Sequence, residues 1–238
     1  MNGVLIFGGS RGIGAACAES FRNIGCPVVF TYNKSEEKAR ELEGKTGAKG
    51  IFCEVENPDS VKAAVEFAEN TLGGIHTLVC CAGIAHIAQV CDVTDERWNS
   101  LLGVNLSGTF YACREASRWM VRRHEGKIIT VGSVWGAVGA SCEAAYSATK
   151  AGIRGLTMAL SKELAPSGIT VNCVEPGVID TDMNSCLSAE DKEALCEDIP
   201  FGRFGRADEV ASLIRFLASD SAQYITGQCI GIGGGFGM

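Results

Sequence analysis

The sequence predicts an α/β fold in which a doubly wound, seven-stranded parallel sheet carries helices on both faces. Short apolar segments alternate with longer amphipathic segments along all 238 residues. The apolar segments lack the alternation of a half-exposed strand, which is typical of strands buried on both faces. No linker or shift in composition divides the chain, so we expect a single domain spanning residues 1–238.

Glycines and capping residues delimit the elements in the first half of the chain. The first apolar run stops at Gly8, and the helix that follows it ends before Gly25, a common helix-terminating residue. Ser35 is a candidate N-cap, and Asn57 followed by a proline starts another helix. The predicted strands are 4–7, 27–32, 50–55 and 77–81, and the predicted helices are 12–24, 35–46 and 57–72.

The second half of the chain continues the alternation of helix and strand. Segments rich in small apolar residues predict two long helices, and short apolar runs predict the remaining strands. Polar residues fill 180–200, which we interpret as an irregular segment. Helices are expected near 94–103, 106–124, 144–165 and 207–218, and strands at 127–131, 170–174 and 228–232.

Composition and charge exclude several classes of protein. A content of 46 % hydrophobic and 21 % charged residues is typical of a globular chain and not of a disordered one. The net charge of −7 argues against a nucleic-acid-binding face. No apolar run approaches the ~18 residues of a membrane span, and the start of the chain lacks the basic region of a signal peptide. The twelve cysteines contain no C-x-x-C spacing, so we expect them to pack as small hydrophobes and not to bind a metal.

A glycine-rich turn follows the first predicted strand. Gly8, Gly12 and Gly14 lie between that strand and the first helix. Glycines there let the backbone approach a pyrophosphate, which binds at the positive end of the helix. Any tight turn of this kind favours glycine, but its place on the first strand and first helix matches the Rossmann dinucleotide-binding pattern. The sequence therefore predicts a bound dinucleotide.

The end of the second strand indicates which dinucleotide binds. NAD sites place an acidic residue about 20 residues after the glycines, whereas NADP sites need a cation for the 2′-phosphate. The second strand ends at Tyr32 and continues to Lys34 without an acidic residue. Arg11 and Lys34 are suited to a phosphate, although solvated surface charges would give the same pattern. We therefore expect NADPH or NADP as the cofactor, with NAD less favoured.

A second motif opens the helix predicted at 144–165. Tyr146 and Lys150 lie one turn apart on the same helical face. A phenol ordinarily titrates near pH 10, so acid–base work at neutral pH needs a nearby ammonium that stabilises the phenolate. Ser133 ends the preceding strand and offers a hydroxyl to orient a carbonyl group. The Y-x-x-x-K spacing alone is common on helices, but its combination with the serine and the glycine turn indicates a catalytic site.

Together these motifs resemble the short-chain dehydrogenase/reductase family over the whole chain. Within that family, the segments 126–133, 168–172, 176–183 and 224–228 are most similar to 3-oxoacyl-[acyl-carrier-protein] reductases. The resemblance implies the catalytic residues Ser133, Tyr146, Lys150 and Asn105, and the cofactor-binding residues Gly8, Ser10, Arg11, Gly12, Ile13, Gly14, Tyr32, Lys34, Glu54, Val55, Cys81, Ala82, Gly83, Tyr146, Lys150, Pro176, Gly177, Ile179 and Thr181.

The implied reaction is the NADPH-dependent reduction of a ketone to a secondary alcohol. Ser133 would hydrogen-bond the carbonyl oxygen, and Tyr146 would give that oxygen a proton as hydride arrives from the nicotinamide. Lys150 would stabilise the phenolate and hold the nicotinamide ribose, and Asn105 would position a water that relays protons to Lys150. The substrate of the most similar reductases implies conversion of 3-oxoacyl-[acyl-carrier-protein] to the 3-hydroxyacyl form in fatty acid synthesis.

The chain departs from the family pattern at three places. Phe7 replaces the threonine that usually precedes the glycine turn, and Glu54 replaces the aspartate that precedes the valine at the adenine. Cys80 and Cys81 replace two asparagines after the fourth strand. A redox role for this vicinal pair is one interpretation, and packing in the core is the favoured one.

The substrate is the most open part of this interpretation. Lys127, with Arg122 and Arg123 near it in sequence, offers basic residues for an acidic carrier protein, although a solvated helix end is an equal alternative. The expected substrate loop at 180–200 is acidic, which disfavours an acidic partner. A reductase or dehydrogenase of another carbonyl or a hydroxysteroid remains an alternative. A non-catalytic, cofactor-binding regulatory protein is a more distant one.

The resemblance also implies an assembly. The family buries segments 106–124 and 144–165, and the tail from Gly231 to Met238, between the subunits of a homotetramer. We therefore expect a cytoplasmic homotetramer that acts on a small-molecule or carrier-bound ketone and binds neither nucleic acid nor membrane.

Overall fold

A parallel sheet of seven strands organises the chain. The computed structural model describes residues 3–184 and 188–237, so residues 185–187 of the expected substrate loop, and Met238 of the expected interface, lie outside the described residues. The strands are β1 (Gly3–Phe7), β2 (Val28–Tyr32), β3 (Lys49–Phe52), β4 (Ile75–Cys80), β5 (Gly126–Val131), β6 (Ile169–Pro176) and β7 (Cys229–Ile232). Their order is β3-β2-β1-β4-β5-β6-β7, which confirms the predicted doubly wound sheet.

Helices connect the strands and begin at the residues that cap them. The side chain of Asn57 accepts hydrogen bonds from the backbone of Asp59 and Ser60, with a proline in the first turn. The helices are α1 (Gly12–Asn23), α2 (Glu36–Thr46), α3 (Pro58–Leu72), α4 (Asp95–Leu101), α5 (Gly108–Arg123), α6 (Val134–Val138), α7 (Ala144–Leu164), α8 (Ala189–Asp198) and α9 (Ala207–Leu217). None of these described helices is long and apolar enough to cross a bilayer.

Each central strand is buried on both faces because its side chains alternate between two cores. On β1, Val4 and Ile6 pack in a cluster that includes residues of α1 and α9. Leu5 and Phe7 pack in a second cluster with residues of α3 and α5. Helices therefore cover both faces of the sheet, as the continuous apolar runs predict.

Three helical features depart from the prediction. The five-residue helix α6 follows β5, and α8 lies inside the segment expected to be irregular. Between α4 and α5, residues 102–107 form a wider π-helical turn in which the N–H of Gly108 donates to the carbonyl of Gly103. Neither α6 nor α8 contains a fully buried residue, so hydrophobic periodicity does not reveal them.

The order of the strands reverses between β1 and β4. These two strands are direct neighbours, with Phe7 opposite Cys80, and the connections that follow them leave toward opposite sides. In doubly wound sheets such a reversal opens a crevice at the carboxyl ends of the strands. The glycine turn after β1 and the segment after β4 therefore share one edge of the sheet.

Candidate active site

A cleft of about 460 Å³ opens at this carboxyl edge. It lies between the turn after β1 and the segment after β4, where the reversal of strand order predicts a ligand. Most of the residues expected to bind a cofactor line it. They are Gly8, Ser10, Arg11, Gly12, Ile13, Gly14, Tyr32, Lys34, Val55, Cys81, Ala82, Gly83 and Thr181.

The glycine turn packs closely against neighbouring backbone. A Cβ atom on Gly14 would lie 2.1 Å from the carbonyl oxygen of Gly8, and one on Gly8 would lie 2.6 Å from the Cα of Ala82. Gly8 also has a φ of 76°, which is in the left-handed region. Its N–H donates to the hydroxyl of Thr31 at 3.0 Å, which joins the turn to β2. These contacts hold bare backbone at the floor of the cleft.

Helix α1 begins at this floor with an open amino-terminal end. Arg11 precedes its first residue and makes no side-chain capping bond, and the first turn contains no acidic residue. Unbonded N–H groups and the positive end of the helix dipole favour a phosphate. The cleft, the bare glycine turn and this helix end together fit the pyrophosphate of a dinucleotide.

Two cationic side chains lie at the end of the cleft that follows the carboxyl end of β2. Arg11 and Lys34 line it, and no acidic residue occupies positions 32–35. Lys38 of α2 forms an ion pair with Asp182, which lines the opposite side. The ammonium of Lys38 holds the pKa of Asp182 below its usual range, and the charge of Arg11 adds to this effect. The field at this end therefore favours an added anionic group beside Arg11 and Lys34.

The tyrosine and lysine of the second motif are buried on α7. The exposed fraction is 8 % for Tyr146 and 5 % for Lys150. The Nζ atom of Lys150 lies 5.6 Å from the centre of the Tyr146 ring and donates to the carbonyl oxygen of Val131 at 2.9 Å. A buried ammonium needs such a partner because desolvation is costly. The charge is thereby fixed close to the phenol that it would stabilise as a phenolate.

Asn105 lies fully buried in the π-helical turn at 102–107. Its Oδ1 accepts from the N–H of Ile84 at 2.8 Å, and its Nδ2 donates to the carbonyl of Ile84 at 2.9 Å. The same Nδ2 donates to the hydroxyl of Thr149 at 3.1 Å, which links the turn to α7. Sequence analysis misses Thr149, although its position between Tyr146 and Lys150 on one helix is a signal for it.

Ser133 follows β5 and caps α6. Its hydroxyl oxygen accepts from the N–H of Trp135 at 3.2 Å. Helix α6 packs tightly on α7, since a Cβ on Gly136 would lie 2.7 Å from the backbone carbon of Lys150. Trp135 also packs against the cluster that contains Tyr146. Ser133, Tyr146 and Lys150 are therefore held by two helices in contact.

Comparisons with known proteins agree with this geometry. A family model described as enoyl-(acyl carrier protein) reductase matches residues 8–237. The chain is 39 % identical to the 3-oxoacyl-[acyl-carrier-protein] reductase FabG of Escherichia coli (strain K12), with 98 % of this chain and 96 % of the relative covered. It is 41 % identical to FabG of Staphylococcus aureus (strain Mu50), with 98 % and 97 % covered.

The chain belongs to the short-chain dehydrogenase/reductase family. The crystal structure of gox2181 matches this short-chain reductase with a TM-score of 0.93 at 31 % sequence identity, covering 99 % of this chain and 95 % of that one. The family and the fold predicted from the motifs are both confirmed. Membership makes the protein an oxidoreductase and implies a nicotinamide cofactor.

Some residues that the resemblance assigns to the cofactor lie outside the lining of the cleft in this short-chain reductase. Glu54, Pro176 and Gly177 do not line it, whereas Glu56 does. Ile179 lines a second cavity instead. Tyr146 and Lys150 lie just behind the lining, since a Cβ on Gly83 would lie 3.6 Å from the Nζ of Lys150.

The basic residues considered for a carrier protein lie at the edge of the sheet opposite to Ser133. Lys127 lies near the start of β5 and Ser133 just beyond its end, roughly 20 Å apart for a strand rising about 3.3 Å per residue. Arg123 pairs with Glu69 of α3, and the guanidinium of Arg122 stacks on a tryptophan ring. Within one chain, this basic group therefore lies away from Ser133 and Tyr146.

The vicinal cysteines point to opposite faces of the sheet. Cys80 packs in one core beside Cys113, and Cys81 packs against the other core beside Cys17. The neighbouring thiol of Cys113 and burial raise the pKa of Cys80 well above its usual range. Cys80 and Cys81 therefore take the packing role, because alternation along the strand turns their side chains away from each other.

We expect Gly14→Ala to weaken dinucleotide binding at least about tenfold. The added methyl group would lie 2.1 Å from the Gly8 carbonyl oxygen, and overpacking of this kind costs about 1–3 kcal/mol. Calorimetric titration with NADPH measures the effect. Gly155→Ala is the matched control, because its Cβ meets nothing within 4 Å on the exposed side of α7. Equal affinity in the two variants would contradict the role of the turn.

Proposed function

We propose that this short-chain reductase carries out the NADPH-dependent reduction of 3-oxoacyl-[acyl-carrier-protein] to the 3-hydroxyacyl form, a ketone-to-alcohol step of fatty acid synthesis. The observation that carries the proposal is the buried ammonium of Lys150 beside the ring of Tyr146, directly behind the dinucleotide cleft. The 39 % and 41 % identity to two 3-oxoacyl-[acyl-carrier-protein] reductases supports the substrate class.

The bound nicotinamide would supply a hydride, and the residues of the chain would control the carbonyl oxygen. Ser133 accepts a hydrogen bond from Trp135, which leaves its hydroxyl proton for donation to that oxygen. Tyr146 would transfer its phenol proton to the same oxygen as a general acid. The fixed charge of Lys150 would stabilise the phenolate that results. The nearby ammonium would also hold the nicotinamide ribose.

A proton must then return to Tyr146. Lys150 and Asn105 border a common gap beside Gly83, where a Cβ would lie 3.6 Å from Nζ and 3.4 Å from Oδ1. A water in this gap would lie close enough to bridge Nζ of Lys150 and Oδ1 of Asn105. Such a water would pass a proton from solvent to Lys150 and on to Tyr146. Asn105 would act here by positioning the water, because its amide is held by Ile84 and Thr149.

The proposed cofactor is NADPH because the end of β2 offers cations where an NAD site needs a carboxylate. Arg11 and Lys34 both line this end of the cleft and are exposed enough to move onto a 2′-phosphate. A guanidinium makes strong, charge-assisted hydrogen bonds to phosphate oxygens. The carboxylate of Asp182, on the opposite side of the cleft, is paired with Lys38.

We expect Arg11→Ala to raise the KM for NADPH by roughly ten- to a hundredfold, because a hydrogen bond to a charged group contributes about 1.5–3 kcal/mol. The KM for NADH should stay unchanged, which makes NADH the internal control. Initial rates with both cofactors measure this. A wild-type enzyme that prefers NADH, or a variant that loses both cofactors equally, would contradict the assignment.

A small free ketone or a hydroxysteroid is the second candidate substrate. The acidic side chains of the described part of the substrate loop favour it, because they would repel an acidic carrier protein. They include Asp180, Asp182, Glu190, Asp191 and Glu193. Within one chain, Lys127 lies at the opposite end of β5 from Ser133, so it does not offset this repulsion.

The proposed assembly is a cytoplasmic homotetramer. Large apolar side chains are exposed on α5 and α7, among them Phe110, Val121 and Met158. Exposed apolar groups on the two long helices are typical of surfaces that partner subunits cover. The proposal leaves no role for nucleic acid or membrane.

We expect Tyr146→Phe to lower kcat by roughly 100- to 10 000-fold, the usual contribution of a general acid. Fluorescence titration should show that the variant still binds NADPH, because the phenol oxygen is lost without a change of shape. Tyr224→Phe is the control, since Tyr224 is fully exposed. Retained turnover in Tyr146→Phe would overturn the proposed role.

The substrate proposal is tested by following NADPH oxidation with acetoacetyl-[acyl-carrier-protein], a simple β-ketoester, other free ketones and hydroxysteroids. We expect the highest kcat/KM with the carrier-bound substrate. Faster reduction of a free ketone or hydroxysteroid would favour the second candidate. No oxidation of NADPH with any of them, in a protein that binds NADPH, would indicate a regulatory protein instead.

A further inference from the structure

A second cavity of about 620 Å³ lies beside β6 and β7, away from the dinucleotide cleft. Arg154 of α7, Glu175 of β6 and Cys229 of β7 are among its lining residues. The reaction proposed above uses none of these three side chains. The cavity therefore contains a charged group and a thiol that still need an explanation.

Two thiols and a carboxylate converge at the wall of this cavity. Cys173 and Cys229 are directly opposite each other on the neighbouring parallel strands β6 and β7. Glu175 lies two residues after Cys173, so its side chain leaves the same face of β6. The two sulfur atoms and a carboxylate oxygen all lie within 4.8 Å of one another.

The carboxylate of Glu175 is only half satisfied. Its Oε2 pairs with the guanidinium of Arg154, while its Oε1 is buried without a hydrogen-bond partner among the described residues. Glu175 as a whole is 5 % exposed. An unpartnered buried carboxylate oxygen is costly and points to a missing ligand.

Gly132 packs closely against the same atoms. A Cβ on Gly132 would lie 2.8 Å from the sulfur of Cys173 and 3.4 Å from Oε1 of Glu175. Any side chain at position 132 would press on the sulfur of Cys173, so a glycine is needed beside the thiol and the carboxylate.

We propose that Cys173, Cys229 and Glu175 bind a Zn²⁺ ion. Two thiolates and one carboxylate oxygen are ligands that Zn²⁺ accepts, at distances of about 2.3 Å to sulfur and about 2.0–2.2 Å to oxygen. The three ligand atoms lie within 4.8 Å of one another, so small side-chain rotations bring each of them to its bonding distance from a central ion. A tetrahedral ion held by three protein ligands has one position left, which water from the cavity fills.

The charges balance at this site. On binding, each of the two thiols releases its proton to solvent, and the ion with two thiolates and one carboxylate keeps one negative charge. The guanidinium of Arg154, already paired with Glu175, neutralises it. Without the ion, the thiols are neutral and Arg154 balances Glu175 alone. A bound Zn²⁺ would thus join β7 to β6 without leaving an uncompensated buried charge.

Cobalt titration tests the site, because Co²⁺ takes zinc positions and absorbs light when thiolates bind it. The full chain, reduced and freed of metal with a chelator, is titrated with Co²⁺ under nitrogen. We expect one Co²⁺ per chain with thiolate-to-cobalt absorption in the near ultraviolet, lost when Zn²⁺ is added. Zn²⁺ should also raise the melting temperature.

Three variants locate the ligands. Cys229→Ser should abolish the absorption, and Glu175→Gln should weaken Co²⁺ binding at least about tenfold. Cys113→Ala is the matched control, because it removes a buried thiol beside Cys80 and not at this site. It should leave Co²⁺ binding unchanged. Melting curves show that each variant is folded.

The absence of thiolate-to-cobalt absorption in the wild type would overturn the proposal. So would undiminished absorption in a folded Cys229→Ser, or its loss in Cys113→Ala. A disulfide between Cys173 and Cys229 that survives reduction would overturn it too, because the thiolates would then be unavailable.

Discussion

The site depends on the close approach of two parallel strands, β1 and β4. Just beyond their paired ends, the carbonyl of Phe7 accepts the N–H of Cys81 at 2.9 Å, so both chains leave the sheet side by side. A Cβ at Gly8 would clash with the backbone of Ala82, which follows β4. A Cβ at Gly14 would clash with the carbonyl oxygen of Gly8. Because the turn is bare and short, α1 begins at the sheet edge with its N–H groups directed into the cleft. The binding floor is thus backbone, positioned by sheet pairing.

The wall of the site that carries Tyr146 and Lys150 depends on satisfied polar groups in a buried environment. Lys150 is held by the carbonyl of Val131 at the end of β5, and the amide of Asn105 is shared between Ile84 and Thr149. A buried charge or amide with these partners is rigid, since losing any of them exposes a costly unpaired group. Asn105 lies in the π-helical turn and bonds Thr149 of α7, and wide turns of this kind are frequent at functional sites.

Local patterns were enough to predict the strands and the catalytic motif. Strands buried on both faces are continuous apolar runs, and Tyr146 and Lys150 are one turn apart on a single helix. Contacts between distant segments were not predictable, because Thr149 meets Asn105 across 44 positions and Lys38 meets Asp182 across 144. Closeness in sequence is also a weak guide to closeness in space, since within one chain the length of β5 separates Lys127 from Ser133. The short helices α6 and α8 lack an apolar stripe, so capping by Ser133 and Ser188 is their main signal.

The rim of the cleft differs from its floor in chemistry, because the rim carries an exposed ion pair between Lys38 and Asp182. Both side chains are about half exposed, whereas the floor consists of hydrogen-bonded backbone. Dissolved ions screen exposed charges over a Debye length of about 8 Å at physiological ionic strength, but hardly affect buried backbone. Ionic strength therefore acts on the attraction between Lys38 and Asp182, and not on the backbone contacts that shape the glycine turn. The protein thus combines an exposed ion pair, whose attraction depends on salt, with a turn whose shape is set by backbone packing.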